Sequence, residues 1–157
     1  MTDSAARTPE DDLARRLGIE ILEASPERVV GTMPVKNGTP VKNGTPVEGD
    51  TAPAASDTAP VEGRTMPDGM LTGGASCVLA ETLGTAGAWL HAGPGRYAAC
   101  IELTATYHRP PAAGLVTGVA SRLHGGRSLA GYEIVITDEQ PGRVCTARMT
   151  CVLRDNP

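Results

Sequence analysis

Glu81 is the residue whose surroundings most invite a chemical reading. It stands in an apolar run, Gly73–Leu90, beside Cys77, Val78, Leu79, Ala80 and Leu83, where a carboxylate is costly unless it is paired or put to use. Thr85 follows four residues on, one helical turn away, and its hydroxyl can donate to that carboxylate. A plainer role is also open, in which Glu81 reaches solvent or an arginine. The run begins with Gly73-Gly74. Glycines there leave amide N–H groups bare at the positive end of a helix dipole, a place for an oxyanion or a carbonyl oxygen. The same pair can equally serve a tight turn. His91, His108 and His124 have no metal-ligand spacing, and Cys77, Cys100, Cys145 and Cys151 form no C-x-x-C pair, so chemistry without metal or cofactor is expected. Cys145 and Cys151 lie ~20 Å apart along one extended run and cannot bond to each other. Buried, reduced thiols are expected at all four positions.

The elements that must position these residues are legible from periodicity. Gly73–Leu90 is rich in Ala and Gly and long enough for about five helical turns. Four strand-like runs follow, Arg96–His108, Leu115–His124, Leu129–Thr137 and Arg143–Arg154. In the first, Tyr97, Ala99, Ile101, Leu103, Ala105 and Tyr107 alternate with the intervening residues; in the last, Cys145, Ala147, Met149, Cys151 and Leu153 do so. Upstream, Ile19–Ala24 and Arg28–Val35 read as a hairpin turning at Ser25-Pro26-Glu27. A short helix precedes them, with Thr8 as cap, Pro9 in its first turn and Gly18 at its end. Residues 36–65 differ in kind. KNGTPV occurs twice in succession, and DTAP and PVEG each recur. A stretch of Gly, Pro, Thr, Ala and Asn buries too little apolar surface to offset ordering, so a disordered insertion without function is expected. The fold class expected is α+β, an antiparallel sheet wrapped around one apolar helix. The organisation is an N-terminal segment and helix over 1–18, then one domain over 19–157, interrupted at 36–65.

Composition narrows the function classes. The chain has 157 residues, enough for one domain, with 40% hydrophobic and 20% charged residues. Aromatics are 3%, with no Phe, so the core must be built from Ala, Val, Leu, Ile, Cys and Met. A net charge of -4 argues against a partner whose phosphates must be tracked, so no nucleic acid is expected. The acidic start, Met1–Asp12, lacks the pattern of a signal peptide, and the longest apolar stretch, 75–92, is broken by Glu81. A cytoplasmic protein without membrane attachment is expected.

The run Met66-Pro-Asp-Gly-Met-Leu-Thr-Gly-Gly-Ala-Ser-Cys-Val-Leu-Ala-Glu81 resembles the signature of hotdog-fold acyl-CoA thioesterases. The branch it resembles contains 4-hydroxybenzoyl-CoA, 1,4-dihydroxy-2-naphthoyl-CoA and phenylacetate-pathway enzymes. Tyr107-His108-Arg109-Pro110, Gly126-Arg127-Ser128 and Glu133-Ile134-x-Ile136-x-Asp138-Glu139 carry the resemblance across most of the domain. It implies that Glu81 acts as nucleophile or general base, that the Gly73 amide polarises the thioester carbonyl, and that Thr85 orients Glu81 or the water. It also implies that Tyr107, His108, Arg109 and Pro110, with His124, Gly125, Gly126, Arg127, Ser128 and Leu129, lie along the CoA path beside Gly74. There Arg127 and Ser128 offer charge and donors for phosphate, with Arg109 and Arg154 lesser candidates. Two positions depart from the family: Thr72 stands where a His is usual and Met66 where a Gln is frequent. If that Gln helps hold the carbonyl, Met66 cannot, and loss of one such donor costs ~3–4 kcal/mol of barrier.

Given those roles, spacing has a consequence for assembly. Gly73 and Glu81 are eight residues apart, ~12 Å along one helix, whereas an attacking group must come within ~3–3.5 Å of the carbonyl carbon. Gly73 of one chain should therefore meet Glu81 of a second, antiparallel chain. This agrees with the homodimer the resemblance implies, commonly paired again into a homotetramer. The expected reaction is hydrolysis of an acyl-CoA to free acid and CoA, with small Ala and Gly side chains along the helix favouring an aryl or quinoid acyl group. The alternative is a hotdog protein that binds or senses acyl-CoA without hydrolysing it.

Overall fold

The computed structural model describes residues 12–35, 41–42, 45–46, 65, 70–111 and 113–156. Thr8, Pro9, Met66 and most of the repeat insertion lie outside the described residues. Two helices and eight strands follow in the order α1 (Asp12–Arg16), β1 (Glu20–Ala24), β2 (Arg28–Pro34), β3 (Val41–Lys42), β4 (Thr45–Pro46), α2 (Gly73–Ala92), β5 (Arg96–Tyr107), β6 (Leu115–Gly125), β7 (Leu129–Thr137) and β8 (Arg143–Asp155). β3 pairs only with β4, inside the repeat. The other six strands form one sheet in the order β1-β2-β6-β7-β8-β5, every neighbour antiparallel. α2 lies across this sheet and touches β2, β5, β6, β7 and β8. This is the expected hotdog arrangement of a sheet around a central helix.

Local chemistry explains the helix limits. Thr72 is extended, and its hydroxyl accepts a hydrogen bond from the Ala75 amide, which caps the first turn. Gly93, at φ 76°, stops the last turn, and its amide still bonds Trp89 O. Between them α2 buries Leu79, Ala80, Leu83, Ala86 and Ala88 against Val116, Ala120, Ile134, Ile136 and Ala147 of the sheet. Leu83 sits in a socket. Gly31 and Gly118 are paired across β2 and β6, and a Cβ on either would stand 2.7 or 2.6 Å from a Leu83 methyl. Only a residue without a side chain leaves that space at both places. Among the described residues no helix is long and apolar enough to cross a membrane.

The strand alternation holds for β8, where Cys145, Ala147, Met149, Cys151 and Leu153 are all buried. It fails within β5. Cys100 pairs with Cys151 and Glu102 with Thr150, so Ile101 is an unpaired extra residue and the phase slips there. Ile101 is 61% exposed, while Ala98 on one side of the bulge and Leu103 and Ala105 on the other pack on the core. The same irregularity occurs at Leu22 in β1 and Leu123 in β6, each 58% exposed. The large apolar residues most open to solvent are thus the three that bulges turn outward.

Candidate active site

Gly73, Cys77, Glu81 and Thr85 recur every four residues of α2, so they share one face. That face looks toward β5, one of the two edge strands of the sheet. Tyr107, the last residue of β5, reaches back to it. Its ring covers Gly73, where an added Cβ would meet Tyr107 Cζ, Cε2 and Cε1 at 2.8, 3.0 and 3.1 Å, and its Oη lies 2.8 Å from Cys77 Sγ. That contact, with burial second, pushes the Tyr107 phenol up to about 12. Tyr107 therefore stays protonated at neutral pH.

Further along the same face, Thr85 Oγ1 donates to Glu81 Oε1 at 2.8 Å. The i+4 contact read from the sequence is made. Glu81 is half-buried and belongs to no ion pair among the described residues, so the role in which an arginine neutralises it is set aside. A partly shielded carboxylate held by one hydroxyl is oriented and leaves its second oxygen available. At the helix start the Ala75 amide is taken by Thr72 Oγ1 and the Ser76 amide by Thr72 O. Those of Gly73 and Gly74 have no partner among the described residues, and a Cβ on Gly74 would meet open space. Thr72, where the resemblance led us to expect His, earns its place as the cap. A cavity of about 290 Å³ opens beside Gly73, walled by Leu71, Ser76, Tyr107, Pro110, Pro111 and Val144.

The remaining candidates divide between two places. His108 Nε2 meets Thr146 Oγ1 at 3.0 Å. Arg109 forks onto Asp138, with Nη1 donating to Oδ2 at 2.8 Å and Nη2 to Oδ1. Nη2 also donates to the carbonyls of Gln140 and Gly142. The guanidinium holds the Asp138 carboxyl below the usual carboxylate range. Arg109 thus ties the 138–142 turn to the end of β5 and has little left for a phosphate. Pro110 is exposed beside the cavity.

His124, Gly125, Gly126, Arg127, Ser128 and Leu129 form the β6–β7 hairpin, at the opposite end of α2. The Gly126 amide donates to Leu129 O at 2.8 Å and closes the turn. His91 holds it from the helix. Arg122 Nη1 donates to His91 Nδ1 at 3.0 Å, so His91 Nε2 carries the proton and donates to Gly126 O at 3.1 Å. Arg96 Nη2 holds Arg127 O at 2.7 Å, and the Leu153 amide holds Ser128 O at 2.8 Å. The backbone is pinned on both sides while the Arg127 side chain is exposed with no carboxylate partner among the described residues. Arg154 is exposed and donates only to Leu153 O. Sequence reading missed the Cys77–Tyr107 contact, although the four-residue step Gly73, Cys77, Glu81 was available. The His91–Arg122 and Arg109–Asp138 pairs join distant parts of the chain and left no local signal.

The thiols are less uniform than expected. Cys145 and Cys151 are buried, and burial raises them to about 11 and about 12. Cys77 and Cys100 are only partly covered, and all four are free. Among the described residues no three His, Cys, Asp or Glu come together to hold a metal.

The chain can now be set beside known proteins. The thioesterase superfamily matches residues 68–145, which include Gly73, Glu81, Tyr107 and the β6–β7 hairpin. The proofreading thioesterase EntH of Klebsiella pneumoniae subsp. pneumoniae is 48% identical over 96 residues, 60% of this chain and 70% of its own length. The crystal structure of thioesterase HI1161 from Haemophilus influenzae superposes with a TM-score of 0.68 at 26% identity, covering 91% of this chain and 82% of that one. The PaaI protein from the phenylacetic acid degradation operon of E. coli shares the fold, with a TM-score of 0.64 at 21% identity over 94% of this chain and 86% of its own. With the helix, the sheet order and the oriented Glu81 in place, the chain belongs to the thioesterase superfamily and is a thioester hydrolase of the hotdog fold.

Proposed function

We propose that the substrate is an acyl-CoA with an aryl acyl group, hydrolysed to the free acid and CoA at a site shared by two copies of the chain. The Gly73 amide of one subunit holds the thioester oxygen, and Glu81 of the partner subunit attacks the carbonyl carbon or takes a proton from the attacking water. Thr85 keeps the Glu81 carboxylate turned toward that carbon. The observation that carries this reading is the Thr85–Glu81 hydrogen bond on a carboxylate that no cation neutralises among the described residues. Such a group is oriented for reaction more than for stability.

Placement of the CoA-path candidates supports the shared site. In one chain the β6–β7 hairpin meets α2 at His91, eighteen residues from Gly73, or ~27 Å along the helix. In an antiparallel pair that brings Gly73 to the partner's Glu81, the hairpin of one chain lies toward the Gly73 end of the other. The exposed Arg127 and Ser128 then face the CoA phosphates from that chain. The homodimer pairs again into a homotetramer, works in the cytoplasm, where its four thiols stay reduced, and needs no metal or cofactor.

A panel of aryl and aliphatic acyl-CoAs, followed by thiol release, tests the reading. The parent is expected to turn over aryl esters fastest, and Glu81→Gln to lose at least a hundred-fold in kcat while CoA binding and the fold persist. Near-full activity of Glu81→Gln would end this mechanism. Calorimetric binding of acyl-CoA without thiol release would make the protein a sensor instead.

A further inference from the structure

We infer that the Tyr107 hydroxyl is a second hydrogen-bond donor to the thioester oxygen, acting beside the Gly73 amide of its own subunit. This rests on the thioesterase reading above and adds to it a catalytic residue.

The geometry begins at Gly73. Tyr107 Cζ, Cε1 and Cε2 all lie within 3.1 Å of where a Gly73 Cβ would be, so the phenolic end of the ring sits over that position. In a helix the Cα–Cβ direction leans toward the N-terminus, the side from which the first-turn amides emerge. The hydroxyl, one bond beyond Cζ, therefore stands beside the Gly73 backbone, turned in this structure toward Cys77 Sγ. Two donors that share one oxygen are each ~2.7–3.1 Å from it, which puts them ~4–5 Å from each other. A phenol resting on the glycine is able to meet that spacing when its hydroxyl turns to the carbonyl oxygen. Any side chain at position 73 would push it away.

The hydroxyl is also free to turn. Its recorded partner is Cys77 Sγ at 2.8 Å, and a thiol is a weak donor and a weak acceptor, so little is lost when a carbonyl oxygen replaces it. Tyr107 is 50% exposed and forms one wall of the cavity beside Gly73, so a substrate can reach it. Its raised phenol agrees with donation without ionisation. As oxygen adds to the carbonyl carbon, the C=O electron pair moves onto the oxygen, which the Gly73 amide and Tyr107 Oη–H then hold. When the pair returns, the C–S bond breaks and CoA leaves as the thiolate, which takes up the proton released by water. Tyr107 keeps its own proton throughout.

Tyr107→Phe removes the hydroxyl and keeps the ring over Gly73. Thiol release is expected to fall ~100- to 1,000-fold in kcat, with KM changed less than three-fold and an unaltered melting temperature. A CoA ketone, with CH2 in place of the thioester sulfur, supplies a spectroscopic check. Its carbonyl stretch should shift to lower frequency on binding the parent, and less so on Tyr107→Phe. Cys77→Ala breaks the same contact from the other side. If the contact were only structural, both variants would lose activity alike, and that result would overturn the proposal, as would a Tyr107→Phe enzyme as fast as its parent. A parent that releases no thiol from any acyl-CoA instead sinks the thioesterase reading itself.

Discussion

Gly84 and Gly87 offer the same substitution on the same helix with opposite expected outcomes. Replacing an interior helical glycine by alanine gains ~1 kcal/mol of helix propensity wherever the new methyl fits. At Gly84 the Cβ would meet Met149 Cε at 2.5 Å and Sδ at 3.1 Å. Both belong to the end of an unbranched, adaptable side chain that can turn aside, and the cost of ~1 kcal/mol roughly cancels the gain. At Gly87 the Cβ would stand 2.8, 2.9 and 3.1 Å from Cε1, Cζ and Oη of Tyr132. That ring is fully buried, and its hydroxyl donates to Pro26 O at 2.7 Å. Ordinary contact distances require the ring to retreat by ~0.6 Å or more, which strains the Pro26 bond. Overpacking at ~1–3 kcal/mol plus a weakened hydrogen bond at ~1 kcal/mol exceeds the propensity gain. Gly87→Ala is therefore expected to be ~1–3 kcal/mol less stable than the parent and to melt roughly 4–10 °C lower, with Gly84→Ala within ~3 °C. Thermal melts and urea titrations of the two variants side by side read this directly. Equal stabilities, or a more stable Gly87→Ala, would refute the packing argument.

Thr85→Val removes the donor to Glu81 and is expected to lower kcat about ten-fold with KM unchanged, the equivalent of one hydrogen bond of ~1.4 kcal/mol; steady-state thiol release measures it. Asp138→Asn weakens the Arg109 fork, so it should melt several degrees lower at neutral pH. Because the folded state holds the Asp138 carboxyl below its unfolded value, the stabilisation is present above the usual carboxylate range and lost as pH falls through the folded value. Melts of parent and variant should thus converge in acid, and a constant gap down to that range would contradict the assignment. Deleting residues 36–60, which joins Val35 to Val61, is expected to leave the rate within a few-fold, since loop length is entropically cheap at ~0.6 kcal/mol per doubling. A hundred-fold loss with fold and dimer intact would make the repeat a working lid.

What could be read ahead of the structure was whatever local spacing dictates. The Thr85–Glu81 bond follows from four residues on a helix, and the buried side of β8 from strict alternation. The phase of β5 was not legible, because a bulge is a property of the pairing between two strands and not of either run alone. Ile101 fits the alternation of its own strand and is nonetheless turned to solvent, since Cys100 and Glu102 pair with consecutive residues of β8. Arg109 was misjudged for a related reason. Its cation suggested a phosphate, but Asp138, which occupies it, lies on another strand connection. Arg127, which the sequence ranks first because Ser128 follows it after Gly125-Gly126, has no such partner among the described residues.

With the roles proposed above for Gly73 and Glu81, one chain is not sufficient for the site. Gly73 and its cavity stand at the start of α2, Glu81 two turns on, and the pinned hairpin with Arg127 at the far end. No motion of a packed helix brings these within reach of one thioester, because α2 is held against all six strands of the sheet and its ends are capped by Thr72 and Gly93. A two-fold axis does it without any motion. If residue 73 of one helix faces residue 81 of another, the register of an antiparallel pair makes the axis pass beside residue 77, so the N-terminal turns of the two helices overlap and their C-terminal halves run apart. The face that carries Gly73, Cys77, Glu81 and Thr85 is turned to the edge strand β5, the side on which the proposed second copy would arrive. In the proposed pair, residues scattered along one chain would become neighbours across the two-fold axis, and β5 would find its partner on the same side.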